Sequence, residues 1–243
     1  MEITAVHFLS PEQKQQIHSL EMACRKEYGS HLSFPSEDGD FFFLALKNNQ
    51  LLGAFSLFCL EPGLYECMAA VFPEQRNKGI FSSLLQEAED RFPDDDFCFV
   101  TDGTCPAVFS VLEKLQAEFW YSEHMMRLSF SSFPSVHSAE SPSKQLSISN
   151  PENGIFHGYL GKQQIGTCCI MEQKYGAYLY SLEILPSFRN QGYGKAFLSQ
   201  VLAILSARFP FVTLQVSGDN EAALHLYQKA GFSITETLSY YLY

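Results

Sequence analysis

The chain has 243 residues, 46% hydrophobic and 14% aromatic with 18% charged, which excludes a disordered polyampholyte and suffices for one large domain or two small ones. Sixteen Lys and Arg against 27 Asp and Glu give a net charge of −11, so nucleic acid and anionic membrane surfaces are not expected as partners, whereas a cationic substrate would be attracted. The longest nearly apolar stretch, Leu51 to Leu60, falls well short of the ~18 residues of a membrane helix, and Met1 to Val6 carries no export signal, so a cytoplasmic location is expected.

A first helix is expected over 11–27, where Ser10 can cap, Pro11 suits the first helical position and Gln13 completes a capping-box spacing. Strands follow near 41–47, 51–60 and 64–72, with Asn48-Asn49 as a hairpin turn between the first two. After a loop from Pro73 to Gly79, a helix runs to about Arg91 with Ile80, Phe81, Leu84, Leu85 and Ala88 on one face. A strand at 97–101, a helix at 106–117 and a strand at 119–129 complete the first half. The Ser- and Pro-rich stretch from about Ser129 to Ser149 has the composition of a linker. Beyond it come strands near 154–160, 164–171 and 177–185, a helix at 192–207, a strand at 211–216, a helix at 220–230 and a last strand from Phe232. The second half lacks the opening helix, and the order of elements in both points to α+β layers around a mixed sheet. The seven cysteines show no CxxC spacing and read as reduced, mostly core thiols, and the seven histidines lack ligand spacing, so no metal is expected.

The halves are copies of one another. An offset of 113 residues carries Gly53 onto Gly166, Tyr65 onto Tyr178, Pro73 onto Pro186, Arg76 onto Arg189, Asn77 onto Asn190 and Gly79 onto Gly192. In each copy a strand leads directly into a loop that ends in glycine and opens a helix; in the second copy this runs from Ile184 to Gly194. The amides of such a loop and the free N–H groups of the helix start form a concave anion site suited to a diphosphate, and glycine keeps side chains out of it. The spacing Arg-x-x-Gly-x-Gly is neither a Rossmann fingerprint nor a Walker loop.

This loop, Arg189 to Gly194, following a strand that ends in a hydrophobic-Pro pair, resembles the CoA-binding motif of the GNAT superfamily of acetyl-CoA-dependent N-acetyltransferases. The string Asn220 to Phe232, with Ala223, Tyr227 and Gly231 between, is similar to the second signature of that family. The resemblance covers residues 150–243 well and the first half more loosely. It implies two GNAT-like domains, each a mixed, mostly antiparallel sheet flanked by helices: a degenerate one over 1–130, a linker over 131–148 and a C-terminal one over 149–243 that carries the acetyl-CoA site. By the same resemblance, Arg189, Asn190, Gln191, Gly192, Tyr193, Gly194 and Lys195 form the diphosphate loop. The strand from Leu182 to Ile184 pairs with the pantetheine arm and polarises the acetyl carbonyl, Asn220 contacts that arm, and Tyr227 protonates the departing thiolate.

The implied reaction is direct attack by a primary amine of a small molecule or peptide on the thioester in a ternary complex, which needs an oxyanion donor, a proton for sulfur and a base for the amine. Glu183 is the candidate base, on the ground that a partly apolar cleft would raise a carboxylate's pKa. Two alternatives stand beside this: a non-catalytic acyl-CoA-binding or interaction module, and an enzyme using another acyl donor. Neither the acceptor nor the oligomeric state is legible. The first copy departs from the pattern, with Phe81 in the place of Gly194. An offset of 115, which aligns Gly103 with Gly218, puts Cys105 opposite Asn220 and Leu112 opposite Tyr227. Leucine has no proton to donate, so catalysis is expected in the second copy, with the first supplying a substrate-side wall.

Overall fold

The computed structural model describes residues 1–132, 146–149 and 153–243; most of the expected linker, 131–148, lies outside the described residues. Contacts divide the chain into one unit of Met1–Tyr121 with Leu238–Tyr243 and a second of Ser122–Thr237. Both divisions fall inside strands, whereas the sequence suggests a boundary in the Ser-rich stretch. Strand pairing accounts for the difference. Residues Glu123 to Ser129 pair with a strand of the second half, and Ser239 to Leu242 pair with a strand of the first.

The first unit begins with β1 (Glu2–Val6), which the sequence reading missed because five residues carry too little pattern to stand out. Then follow α1 (Pro11–Tyr28), β2 (Phe41–Lys47), β3 (Gln50–Glu61), β4 (Leu64–Val71), α2 (Ile80–Arg91), β5 (Asp96–Thr101) and α3 (Pro106–Leu115). The capping box at Ser10 forms as expected, with Ser10 and Gln13 bonding each other's backbone N–H. Sheet order is β1-β2-β3-β4-β5, then the last residues of β12 (Ser233–Leu242); β4–β5 is parallel and the other pairs described are antiparallel. The unbroken apolar run of β2 follows from burial on both faces. Phe42 and Leu44 pack with Ile17 and Leu20 of α1, while Phe43 and Ala45 pack with Leu84 and Ala88 of α2.

The second unit takes the main part of β6 (Glu118–Ser129), then β7 (Leu146–Ile148), β8 (Ile155–Leu160), β9 (Gln163–Gln173), β10 (Gly176–Ile184), α4 (Tyr193–Ser206), β11 (Phe211–Ser217), α5 (Glu221–Lys229) and the start of β12. Its sheet order is β12-β6-β11-β10-β9-β8-β7, with β10–β11 parallel. Both helices share one core, in which Phe197, Val201, Leu202 and Leu205 of α4 meet Phe156, Ile165, Leu179, Val212 and Leu214 of the sheet. With helices on a single face, the strands alternate: Ala177 and Leu179 are buried while Tyr178 and Tyr180 face away from that core. All seven cysteines are free thiols, but only Cys67, Cys98 and Cys168 are buried, fewer than the apolar context of the others suggests. No helix among the described residues is long and apolar enough to cross a membrane.

Candidate functional site

In the second unit β10 and β11 run side by side only from Ala177–Val212 to Leu179–Leu214, although β10 continues to Ile184 and β11 to Ser217. Beyond that point their facing backbone groups are not paired with each other, which leaves room for an extended chain to lie between them. At the same level β10 bulges. Its register against β9 jumps from Tyr180–Cys169 to Glu183–Thr167, so Ser181 and Leu182 stand opposite the single residue Cys168. Ser181 adopts a left-handed φ of 50°, which turns the local amides out of the β9 ladder. Gly166 makes this possible, because a Cβ there would lie 2.6 Å from the Glu183 carbonyl oxygen.

The loop after β10 passes through a short 3-10 turn, Pro186–Phe188, and reaches Gly192 at φ 84°, which caps α4 with no side chain accepting from its first amides. Only from Ala196, whose N–H donates to the Gly192 carbonyl at 3.1 Å, is the helix internally bonded; the amides of Tyr193, Gly194 and Lys195 precede that bond. Space around Gly192 is open, with nothing within 4 Å of where a Cβ would stand, and Lys195 is exposed beside it. This is an open, electropositive helix start that fits a diphosphate. The side chain of Tyr193 turns inward onto Phe188, ring centroids 6.1 Å apart, and so anchors the loop. Asn190 holds a left-handed φ of 59°, and Gln191 reaches back to the Ser187 carbonyl at 3.0 Å.

Arg189 is turned toward the strand. Its Nε donates to the Ile184 carbonyl at 2.8 Å and its Nη2 lies 3.6 Å from the Glu183 carboxylate, so its side chain braces the loop and occupies the carbonyl of Ile184. Glu183 itself is 62% exposed at the side chain, so the partly apolar cleft expected around it is absent. Asn220 caps α5 by accepting from the Ala223 N–H at 3.1 Å, leaving its amide NH2 on an exposed residue. Tyr227 is buried, with its ring 5.7 Å from Phe232 in an edge-to-face arrangement. Its hydroxyl makes no hydrogen bond among the described residues. Burial pushes its pKa up to about 12, with a smaller contribution from the nearby Cys168 thiol, the residue that stands opposite the bulge. Helix start, bulge and phenol thus all belong to the second unit, and Cys168 relates the last two: it stands opposite Ser181–Leu182 and its thiol acts on the Tyr227 phenol.

The first unit repeats the loop and omits the chemistry. Asn77 and Gly79 are again left-handed, and the Arg76 Nε again donates to the strand end, at 3.3 Å from the Val71 carbonyl. There, however, Arg76 is pinned by α1: Glu27 lies 2.7 Å from Nη1, the Cys24 sulfur 3.5 Å from Nη2, and the Tyr28 ring centroid 5.1 Å away. Phe81 packs inward against Phe55 and Phe99, and Leu112 is buried core. Most tellingly, β4 pairs with β3 without interruption from Tyr65 to Val71, so no bulge forms at the level that matches Ser181–Leu182. The bulge is the feature that sequence reasoning missed; the only hint is Gly166, since Ser181 gives no signal of a left-handed backbone.

The family model for the acetyltransferase (GNAT) family matches twice, over residues 9–104 and 118–232. The chain belongs to the GNAT acetyltransferase family. Solved structures share its fold at low identity. A GCN5-related N-acetyltransferase from Sphaerobacter thermophilus is 13% identical with a TM-score of 0.76, over 99% of this chain and 95% of that one. A tandem GNAT protein from the clavulanic acid biosynthesis pathway is 13% identical with a TM-score of 0.66, over 100% and 98%. The glucosamine N-acetyltransferase region of a fungal multi-domain GH3 β-N-acetylglucosaminidase gives 8% and 0.73, over 100% of this chain and 38% of that one. No curated protein matches. The double match makes this a tandem GNAT protein. Among its described residues no group of three or more His, Cys, Asp and Glu assembles for a metal.

Proposed function

We propose that the second unit is a cytoplasmic N-acetyltransferase that moves the acetyl group of acetyl-CoA to a primary amine of a small molecule or peptide, by direct attack in a ternary complex. The observation that carries this reading is the Ser181–Leu182 bulge at the opening between β10 and β11, opposite the Cys168 whose thiol acts on the Tyr227 phenol, with no counterpart at the matching level of the first unit. The uncapped amides of Tyr193, Gly194 and Lys195 hold the diphosphate of the co-substrate, and Asn220 and the strand edge from Leu182 hold its arm. Amides of the bulge donate to the oxyanion that develops on the thioester carbonyl. Glu183 remains the candidate base, and its exposure would let it relay the ammonium proton to water.

Tyr227 donates to the departing sulfur. With its pKa near 12, against roughly 8.5 for an ordinary thiol, it holds its proton while the carbon–sulfur bond breaks and stabilises the thiolate by a hydrogen bond. The test is thiol release from acetyl-CoA with a panel of polyamines, aminoglycosides, amino acids and peptides, comparing wild type with Tyr227→Phe. Thiol release that depends on an amine and on Tyr227 supports the reading. A second reading, a CoA-binding module without turnover, is favoured by the solvated, Arg189-paired position of Glu183. It gains if CoA raises the melting temperature and no amine releases thiol.

A further inference from the structure

At the opposite end of β10 and β11 from the diphosphate loop, the chain builds a second basic site. A basin of about 560 Å³ opens where β10 and β11 begin and β6 nears its end, and Arg127, Lys174 and Arg208 line it together with Tyr175, Phe209 and Phe211. Each cation lies over a ring: Arg127 over Phe211 at 3.7 Å from the centroid, Lys174 over Tyr175 at 5.0 Å and Arg208 over Phe209 at 5.2 Å. A guanidinium stacked this closely has its face covered and its N–H edge turned outward, the geometry that receives an oxyanion. The arrangement is built into the backbone, because a Cβ at Gly176 would meet the Phe211 ring at 2.4 Å and displace the platform under Arg127.

Arg208 is paired with Glu172 at 2.5 Å, whereas neither Arg127 nor Lys174 forms an ion pair among the described residues. Tyr175 is 68% exposed and offers a planar face beside these charges. Charge distribution favours an anion here despite the overall balance. The first unit holds eight Lys and Arg against nineteen Asp and Glu, and the second holds eight of each, so the whole −11 belongs to the first.

We propose that this basin binds a small phosphate-bearing anion, held by the edges of Arg127 and Lys174 with Arg208 in support, at a site separate from the acetyl-CoA loop. The probes are inorganic pyrophosphate and AMP, titrated into the full-length protein carrying Trp120→Phe and Tyr175→Trp, so that the one remaining indole reports on the basin alone. At low ionic strength the expected result is a saturable fluorescence change. It weakens about tenfold or more in Arg127→Ala/Lys174→Ala, fades as salt is raised, and is unaffected by Lys195→Ala in the other loop. Tighter binding of AMP assigns a nucleotide that stacks on residue 175; tighter binding of pyrophosphate assigns an oligophosphate; both support the site. Circular dichroism of the double variant, whose two residues are exposed, checks that it folds. The proposal is overturned if neither probe saturates, if the double variant binds as before, if Lys195→Ala abolishes the signal, or if citrate binds as tightly as pyrophosphate.

Discussion

Replacing Tyr227 by phenylalanine separates function from fold more cleanly than any other change at the site. The ring stays, so its packing against Phe232 is kept, and the hydroxyl that is lost has no hydrogen-bond partner among the described residues. Stability should therefore change by less than about 1 kcal/mol, a melting shift within about 4 °C for a chain of this size. Loss of a positioned donor to the leaving sulfur should instead lower kcat by about 10²–10⁴, or about 2.7–5.4 kcal/mol of barrier, with the KM for acetyl-CoA little altered. Thiol release with the best amine of the panel measures the first effect and thermal unfolding the second. A kcat within a few-fold of wild type, or a melting point lowered by 10 °C or more, would refute the reasoning, the first by removing the phenol from the chemistry and the second by revealing a structural role for its hydroxyl.

The remaining predictions concern the same unit. Burial holds the folded Tyr227 phenol near 12 while an unfolded one ionises near 10, so between those pH values the unfolded state binds fewer protons and stability falls as pH rises. This linkage is worth about 2–3 kcal/mol by pH 12, is absent below pH 10, and should be flattened in Tyr227→Phe when urea unfolding is followed across that window. Gly194 is helical, and a Cβ there would find only ordinary contacts, 3.7 Å to Ile184 and 3.8 Å to Leu226, so Gly194→Ala should raise stability by about 0.5–1 kcal/mol. Its melting point should rise by a few degrees in calorimetry. Gly166→Ala should do the reverse, driving β9 away from the bulge at the Glu183 carbonyl; a loss of about 1–3 kcal/mol together with most of the thiol-release activity is expected. Gly53→Ala, whose closest approach is a looser 3.0 Å, is the milder comparison in the first unit.

What the sequence determined by itself is what short-range rules control. The capping box at Ser10, the helical stripes of α2 and α4, the left-handed glycines at 79 and 192 and the Asn220 cap each depend on residues within a few positions of one another. The repeat at an offset of 113 then assigned the same loop to both halves, and Leu112 opposite Tyr227 told the copies apart. Tertiary structure alone decided which strands pair. β6 joins β11 and the end of β12 joins β5 because hydrogen-bond partners are chosen across more than eighty residues, a distance at which local pattern carries no information. It also decided that Ser181 would bulge, that Arg189 would turn to Ile184 and leave Glu183 in water, and that Arg127, Lys174 and Arg208, far apart in sequence, would face one basin. Burial, charge environment and cross-strand register are sums over neighbours that the chain meets only on folding, which is why the glycine-ended loop was legible beforehand and its surroundings were not.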